Sequence, residues 1–339
     1  MNKFLNECKS TIHEVQQLLA TNREHWVRLF SNYANVLHKN EEEIRSKKKK
    51  TFNEWAPLYL YMNVTQAKGT MEFSLRYLGQ QVATLKVRDG KTTVSTKSFD
   101  ETNRRDFGCD FKLAGDEWNS KTSAVFRKHF SAQLPRTLES RKRNEEHRIE
   151  SALLTEFSKT NRTDKEFCNI QPVRIAKIAR FQMPTPITAS NPKKMKYSSG
   201  DSLGGGIDIL CRVGSGGRSN LCVMEVKDEY NANEPPSMAI KQALAYATFL
   251  RELLRSEHCE KWWHVFGFKK PRKQIKLLVS CVMPAPASGE PDISFGNTTI
   301  PFDDDSTDCA ILHYMYFKEC DNKIKIVSTS LGQEVTQAL

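Results

Sequence analysis

Two charged residues interrupt an otherwise apolar run, Leu-Cys-Val-Met-Glu-Val-Lys, at positions 221–227. Successive side chains of a β-strand point to opposite faces, so Glu225 and Lys227 share one face while Val226 points to the other. Burying such charges is costly unless they pair with each other or meet an ion. Their presence in a run typical of a buried strand therefore calls for an explanation, and a bound metal is one.

A second carboxylate lies at the start of a neighbouring apolar run. Asp208 follows Gly204-Gly-Gly-Ile, and a Gly/Ser-rich turn at 214–220 separates the extended segment 206–213 from the run that holds Glu225. A short hairpin over this turn would place Asp208 beside Glu225. Two carboxylates on adjacent strands make a hard oxygen site that suits Mg²⁺ or Mn²⁺ and leaves room for phosphate oxygens. Lys227 beside such a site could orient or help deprotonate a nucleophile.

The flanking hydrophobic patterns predict a second domain with an α-β-β-β-α-β order of elements. The predicted segments are a helix over 145–159, extended segments over 170–180, 206–213 and 221–227, a helix over 237–255 and a strand over 274–282, with further strand-like sequence at 309–317 and 323–327.

Asp208 with Glu225-Val226-Lys227, in this order of elements, resembles the PD-(D/E)xK phosphodiesterase superfamily, the restriction-endonuclease-like nucleases. Gln242-Ala-Leu-Ala-Tyr246 in the following helix is similar to the Q-x-x-x-Y element of RecB-like members. The resemblance covers about residues 145–283. The sequence departs from the name-giving pattern before Asp208, because Gly206-Ile207 stands where the family has a proline.

This resemblance implies an α/β fold with a restriction-endonuclease-like αβββαβ core and a mixed sheet. It implies that Asp208, Glu225 and the main-chain carbonyl of Val226 hold Mg²⁺, for which Mn²⁺ would substitute, and that Lys227 serves the attacking water. Gln242 and Tyr246, four residues apart and therefore on one helix face, are expected to support the site.

The resemblance also implies a glutamate from the first helix of the core. Glu150 borders the buried stripe formed by Ile149 and Leu153, whereas Glu146 lies one turn earlier on the same side. Glu150 is the preferred fourth ligand. The alternative for either residue is an ordinary solvated helix glutamate.

The N-terminal part reads as a separate α+β domain over residues 1–138. Apolar residues recur at helical spacing through the first fifty residues, a period-two pattern over 69–99 predicts a three-strand antiparallel meander, and another helix is expected after Asp116 and is ended by Pro135. The nuclease-like domain is then expected over 139–339. The first domain is expected to serve recognition, regulation or dimerisation.

The positive charge is concentrated in the N-terminal part of the chain. The net charge is +11, of which residues 1–144 carry +10 and residues 145–339 carry +1. A nucleic-acid partner, double-stranded DNA above all, would explain this excess, because Lys and Arg neutralise phosphates and release counterions. The alternative is a basic surface that only keeps the protein in solution. A homodimer, or a protein partner held by the N-terminal domain, stays open.

Several classes are excluded by what the chain lacks. The nine cysteines never form C-x-x-C, which argues against a zinc site or a disulfide framework, and G-x-S-x-G, P-loop and G-x-G-x-x-G motifs are absent. No apolar run approaches the length of a membrane span, and the first 20 residues do not resemble a signal peptide. A cytoplasmic protein without a membrane partner is expected.

The resulting expectation is a Mg²⁺-dependent endonuclease acting on double-stranded DNA, in a bacterial restriction or phage-defence setting. Two alternatives stay open at this point. One is a nucleic-acid- or protein-binding module on an inactive nuclease fold, and the other is a DNA repair or recombination nuclease, which the RecB-like Gln242 and Tyr246 favour mildly.

Overall fold

The structure is a computed structural model. It describes residues 2–46, 56–62, 71–88, 91–96, 107, 109, 112–132, 145–159, 169–175, 179–190, 194–199, 204–228, 234–288, 290–304, 307–320 and 323–332.

These residues form a mixed α/β structure. The helices are α1 (Asn2–Thr21), α2 (Arg23–Ser46), α3 (Lys121–Ala132), α4 (Glu145–Phe157), α5 (Pro236–Arg255) and α6 (Cys259–Val265). The strands are β1 (Leu58–Met62), β2 (Met71–Tyr77), β3 (Gln80–Arg88), β4 (Lys91–Thr96), β5 (Ala114–Glu117), β6 (Ile170–Pro172), β7 (Arg174–Ile175), β8 (Ala179–Phe181), β9 (Pro184–Thr185), β10 (Ile187–Thr188), β11 (Lys196–Tyr197), β12 (Gly205–Gly206), β13 (Ile209–Val213), β14 (Asn220–Val226), β15 (Lys276–Pro284), β16 (Thr299–Pro301), β17 (Cys309–Cys320) and β18 (Lys323–Thr329).

The chain divides into two compact units. The large unit comprises residues 1–32, 152–173 and 182–339, and the small unit comprises residues 33–151 and 174–181. The division differs from the predicted boundary after residue 138. Residues 1–32 fall in the large unit because the buried stripe of α1 packs against α5, and Lys241 of α5 pairs with Glu7 of α1 at 2.9 Å.

The small unit contains a seven-stranded sheet in the order β5-β4-β3-β2-β1-β8-β7. Strands β2, β3 and β4 pair antiparallel, which confirms the predicted meander. The helix predicted after Asp116 is α3, whereas Pro135, its expected end, lies outside the described residues. Arg180 of β8 is 1% exposed, and it donates a hydrogen bond to the hydroxyl of Tyr61 on the neighbouring strand β1.

The large unit contains a second seven-stranded sheet, in the order β16-β17-β15-β14-β13-β6, with β18 paired to β17. Strands β6, β13 and β14 are antiparallel neighbours, whereas β14, β15 and β17 run parallel. The helix α5 joins β14 to the parallel strand β15 and packs on both, as a crossover between parallel strands requires.

Most elements predicted for residues 139–339 are present. Helices α4 and α5 and strands β13, β14, β15, β17 and β18 lie where the patterns placed them. The segment 170–180 was expected to form one extended element, but it forms three short strands. Only β6 joins the sheet of the large unit, and β7 and β8 join that of the small unit. The hydrophobic pattern cannot show this division, because an extended run has the same period in either sheet.

Among the described residues, no helix has the length and apolar character needed to cross a membrane.

Candidate active site

The strand β14 positions Glu225 and Lys227. It lies between β13 and β15, and six of its seven residues are buried, as expected for a strand covered on both faces. Glu225 is 2% exposed and Lys227 is 7% exposed. The Lys227 Nζ donates a hydrogen bond to Glu225 Oε1 at 2.9 Å. The two charges therefore share one face of the strand, as the period-two pattern predicts.

The hairpin from β13 to β14 brings Asp208 to the same end of the sheet. Ile209 pairs with Met224, so the preceding residue, Asp208, comes opposite Glu225. The half-buried Asp208 accepts a hydrogen bond at its Oδ2 from the backbone N–H of Val226 at 2.8 Å. The N–H and C=O of one strand residue point to the same side, so the Val226 carbonyl also points towards the side on which Asp208 lies.

The helix α5 covers this end of the sheet with Gln242 and Tyr246. Pro236 is well suited to the first helical position, and the following alanine-rich sequence favours a helix that can be buried on most sides. Gln242 is 7% exposed, and its Oε1 accepts a hydrogen bond from Lys227 Nζ at 3.4 Å. The amide thus holds the ammonium from the side opposite the strand.

Both carboxylates, Glu225 and Asp208, raise the pKa of the Tyr246 phenol. Burial, followed by the negative charge of Glu225, raises the pKa of the Tyr246 phenol to about 12, and Asp208 adds to this increase. Hydrogen bonds with the Gln242 side chain and the backbone of Ala189 oppose it. The phenol therefore keeps its proton at neutral pH.

The glycines before Asp208 give Tyr246 its space. A Cβ on Gly205 would lie 2.8 Å from the Tyr246 hydroxyl oxygen and 2.8 Å from the carbonyl oxygen of Ile187. Both distances are shorter than real Cβ contacts allow. Only glycine therefore lets the β12 backbone approach the phenol this closely.

We expect Gly205→Ala to destabilise the protein by roughly 1–3 kcal/mol, because the added methyl group overpacks the site. Urea unfolding would measure the change against Gly217→Ala, whose Cβ would meet nothing within 4 Å. Adding Tyr246→Phe removes one of the two close atoms and should recover part of the loss. A Gly205→Ala protein as stable as Gly217→Ala would contradict the proposed packing.

The donor set fits a hard divalent cation that keeps part of its water shell. Among the described residues, no three His, Cys, Asp or Glu side chains form a cluster that could hold a metal. Asp208 and Glu225 supply two carboxylates, however, and Mg²⁺ is usually held by one or two carboxylates with waters and substrate phosphates. The strand neighbour of Glu225 is Cys281, and burial raises the pKa of its thiol, so a soft thiolate ligand is not offered.

The helix glutamates predicted as a further ligand belong to the small unit. Glu150 is 4% exposed, and its Oε1 lies 2.9 Å from His147 Nδ1. This hydrogen bond raises the pKa of His147, against the opposing effect of burial. Within its unit, Glu150 is thus a buried partner of an imidazole. Glu146 is half-buried.

Sequence reasoning missed two contributors to this region, and it did not single out the buried residue that follows Lys227. Gly205 was noted only as part of a glycine run, and the backbone of Ala189 carries no sequence signal at all. Asp228, directly after Lys227, is 8% exposed, and its only signal is its place after the E-x-K motif. It does not complete a three-residue metal cluster with Asp208 and Glu225.

Comparison of this chain with protein-family models, with curated proteins and with solved structures finds no match.

Proposed function

We propose that this protein is a metal-dependent nuclease that hydrolyses phosphodiester bonds, with double-stranded DNA as its substrate. The observation that carries the proposal is the buried Lys227 ammonium, held between Glu225 Oε1 at 2.9 Å and Gln242 Oε1 at 3.4 Å. An apolar pair of similar volume often stabilises a core as well as a buried ion pair does. A chemical role therefore explains Glu225 and Lys227 better than stability does.

Asp208, Glu225 and the Val226 carbonyl would hold the metal. All three are oxygen donors, and the two carboxylates raise the pKa of the same phenol, which supports a shared negative potential at this end of the sheet. When bound, Mg²⁺ would polarise the scissile phosphate and offset the charge that builds on it during hydrolysis.

Lys227 would orient the attacking water and, as a neutral amine, would accept the proton that the water loses. Its ammonium is fixed by two acceptors, so little rotamer freedom is left to lose when substrate binds. Gln242 acts through Lys227 and is a positioning residue. Tyr246, which keeps its proton at neutral pH, can donate a hydrogen bond beside the carboxylates.

The order of elements in the large unit supports the same proposal. Strands β6, β13 and β14 form an antiparallel set, and α5 then leads to the parallel strand β15. The PD-(D/E)xK nucleases, which the sequence resembles, share this arrangement in their αβββαβ core.

A binding module on an inactive nuclease fold is the second candidate. It is favoured by the way protein groups already engage both carboxylates: the Val226 N–H binds Asp208, and Lys227 binds Glu225. Such a protein would bind nucleic acid equally well with and without a divalent cation, and it would cleave none.

One assay separates these candidates. Purified full-length protein is incubated with supercoiled plasmid, linear duplex DNA, single-stranded DNA and RNA, each with Mg²⁺, Mn²⁺ or EDTA. The proposal predicts cleavage of duplex DNA in both metals and none in EDTA. Cleavage of RNA alone or of single-stranded DNA alone would show that this nucleic acid, and not duplex DNA, is the substrate. Binding without cleavage under every condition would favour the binding module.

A further inference from the structure

The small net charge of residues 145–339 conceals a basic segment. Residues 261–276 contain six Lys or Arg and no Asp or Glu, whereas the other residues of 145–339 contain 19 basic and 24 acidic residues. The charge in this half of the chain is therefore segregated. A surface that only needed solubility would be served by interspersed charges of both signs.

The basic segment runs from α6 through a turn into the start of β15. The side chains of Lys269, Lys270, Lys273 and Lys276 are exposed. None of these four forms an ion pair with another residue that the structure describes. Their ammonium groups are therefore accessible to solvent.

Arginines hold this segment in place. Arg272 donates hydrogen bonds to Asn220 Oδ1 and to the Gly217 carbonyl, both at 3.1 Å, and its guanidinium lies 4.7 Å from the centre of the Phe268 ring. Arg212 donates to the Gly267 carbonyl at 2.8 Å. The exposed lysines therefore lie on a turn that these hydrogen bonds stabilise. Less conformational entropy is then lost when the segment binds a ligand.

The segment lies at the end of the sheet opposite Glu225. Strands β14 and β15 run parallel with Leu221 beside Leu277 and Glu225 beside Cys281. The five residue steps from Lys276 to Cys281 span about 16 Å at a rise of about 3.3 Å per residue. Duplex DNA rises about 3.4 Å per base pair, so this span corresponds to about five base pairs.

We infer that residues 267–276 form a second contact surface for the phosphodiester backbone, separate from the candidate active site. The inference rests on the proposed function for the identity of its ligand. Closely spaced exposed lysines, in a segment that contains no Asp or Glu of its own, suit a row of phosphates, because each contact releases condensed counterions. Such contacts would position a long substrate without reading its sequence.

The test compares two triple variants of the full chain, both carrying Glu225→Gln so that no substrate is cut. One replaces Lys269, Lys270 and Lys273 with Gln, and the control replaces three exposed lysines elsewhere in the large unit with Gln, namely Lys9, Lys318 and Lys325. Fluorescence anisotropy with a labelled 30-base-pair duplex (a length on the order of three helical turns) in EDTA gives the affinity at several salt concentrations. Thermal unfolding checks that both variants are folded.

The first variant should bind at least about tenfold more weakly than the control near 0.1 M salt, and its log-log salt slope should be smaller by about 2 to 3. Equal affinities and slopes would overturn the inference. That outcome would leave the proposed function standing, because cleavage by the wild-type protein is measured separately. Conversely, weakened binding by a protein that cleaves nothing would keep this surface and overturn the nuclease proposal.

Discussion

Replacing Lys227 with alanine is expected to lower cleavage about 10²- to 10⁴-fold, the range typical of a lost general acid or base. The reason is that the Lys227 amine, held 2.9 Å from Glu225 Oε1, would be the group that accepts a proton from the attacking water in the proposed mechanism. Mn²⁺ binding should remain measurable by calorimetry, because both carboxylates stay in place. Initial cleavage rates under substrate saturation give the size of the effect.

The matched control is Lys325→Ala, which removes an exposed lysine from β18 and should leave the rate unchanged. Lys227→Met keeps most of the buried side-chain volume, so it can be measured instead if Lys227→Ala fails to fold. If metal binding disappears together with activity in a folded protein, Lys227 has a structural role. Undiminished cleavage would remove it from the mechanism.

Asp308→Ala is expected to lower the free energy of unfolding by about 3–5 kcal/mol, the cost of breaking a buried ion pair. The carboxylate is 1% exposed, and it accepts hydrogen bonds from Arg255 Nη2 at 2.6 Å, from Arg251 Nε at 3.1 Å and from the backbone N–H of Ile275 at 2.8 Å. These contacts fasten the end of α5 to the start of β15. Urea unfolding measures the loss, and the exposed Asp304→Ala is the control.

The same carboxylate predicts a pH dependence. Burial would raise the pKa of Asp308, but hydrogen bonds from Arg255 and Ile275 outweigh it and hold the pKa below its usual range. The unfolded state therefore binds the proton more tightly, so the contribution of Asp308 is complete above about pH 3.9 and is lost as the pH falls through the lower folded value. Asp308→Ala should flatten the stability curve in that acid window. An unchanged curve would contradict the assignment.

Much of the candidate site follows from local periodicity. The two-residue period places Glu225 and Lys227 on one face, the Gly/Ser turn brings Asp208 across from Glu225, and helical spacing places Gln242 and Tyr246 on one face of α5. Each of these relations depends on backbone geometry within a short stretch of chain. That is why the sequence alone could indicate them.

Other features depend on contacts between distant segments. The apolar stripe of α1 predicts a buried helix but does not say that α5 is its partner. The role of Gly205 depends on where Tyr246, 41 residues later, places its hydroxyl. Likewise, the helical spacing of Glu150 does not show that the boundary between the two compact units falls directly after Ser151.

The central claim is that Asp208 and Glu225 form a metal-dependent hydrolytic site. It is tested most directly by the rate of plasmid cleavage in Mg²⁺, measured side by side for the wild-type protein, Glu225→Gln and Asp208→Asn, with the exposed Glu260→Gln as control. The account predicts cleavage by the wild type and by Glu260→Gln, and a loss of at least about 10³-fold in both site variants, equivalent to about 4 kcal/mol. Equal cleavage by all four proteins, or cleavage that persists in EDTA, would contradict it.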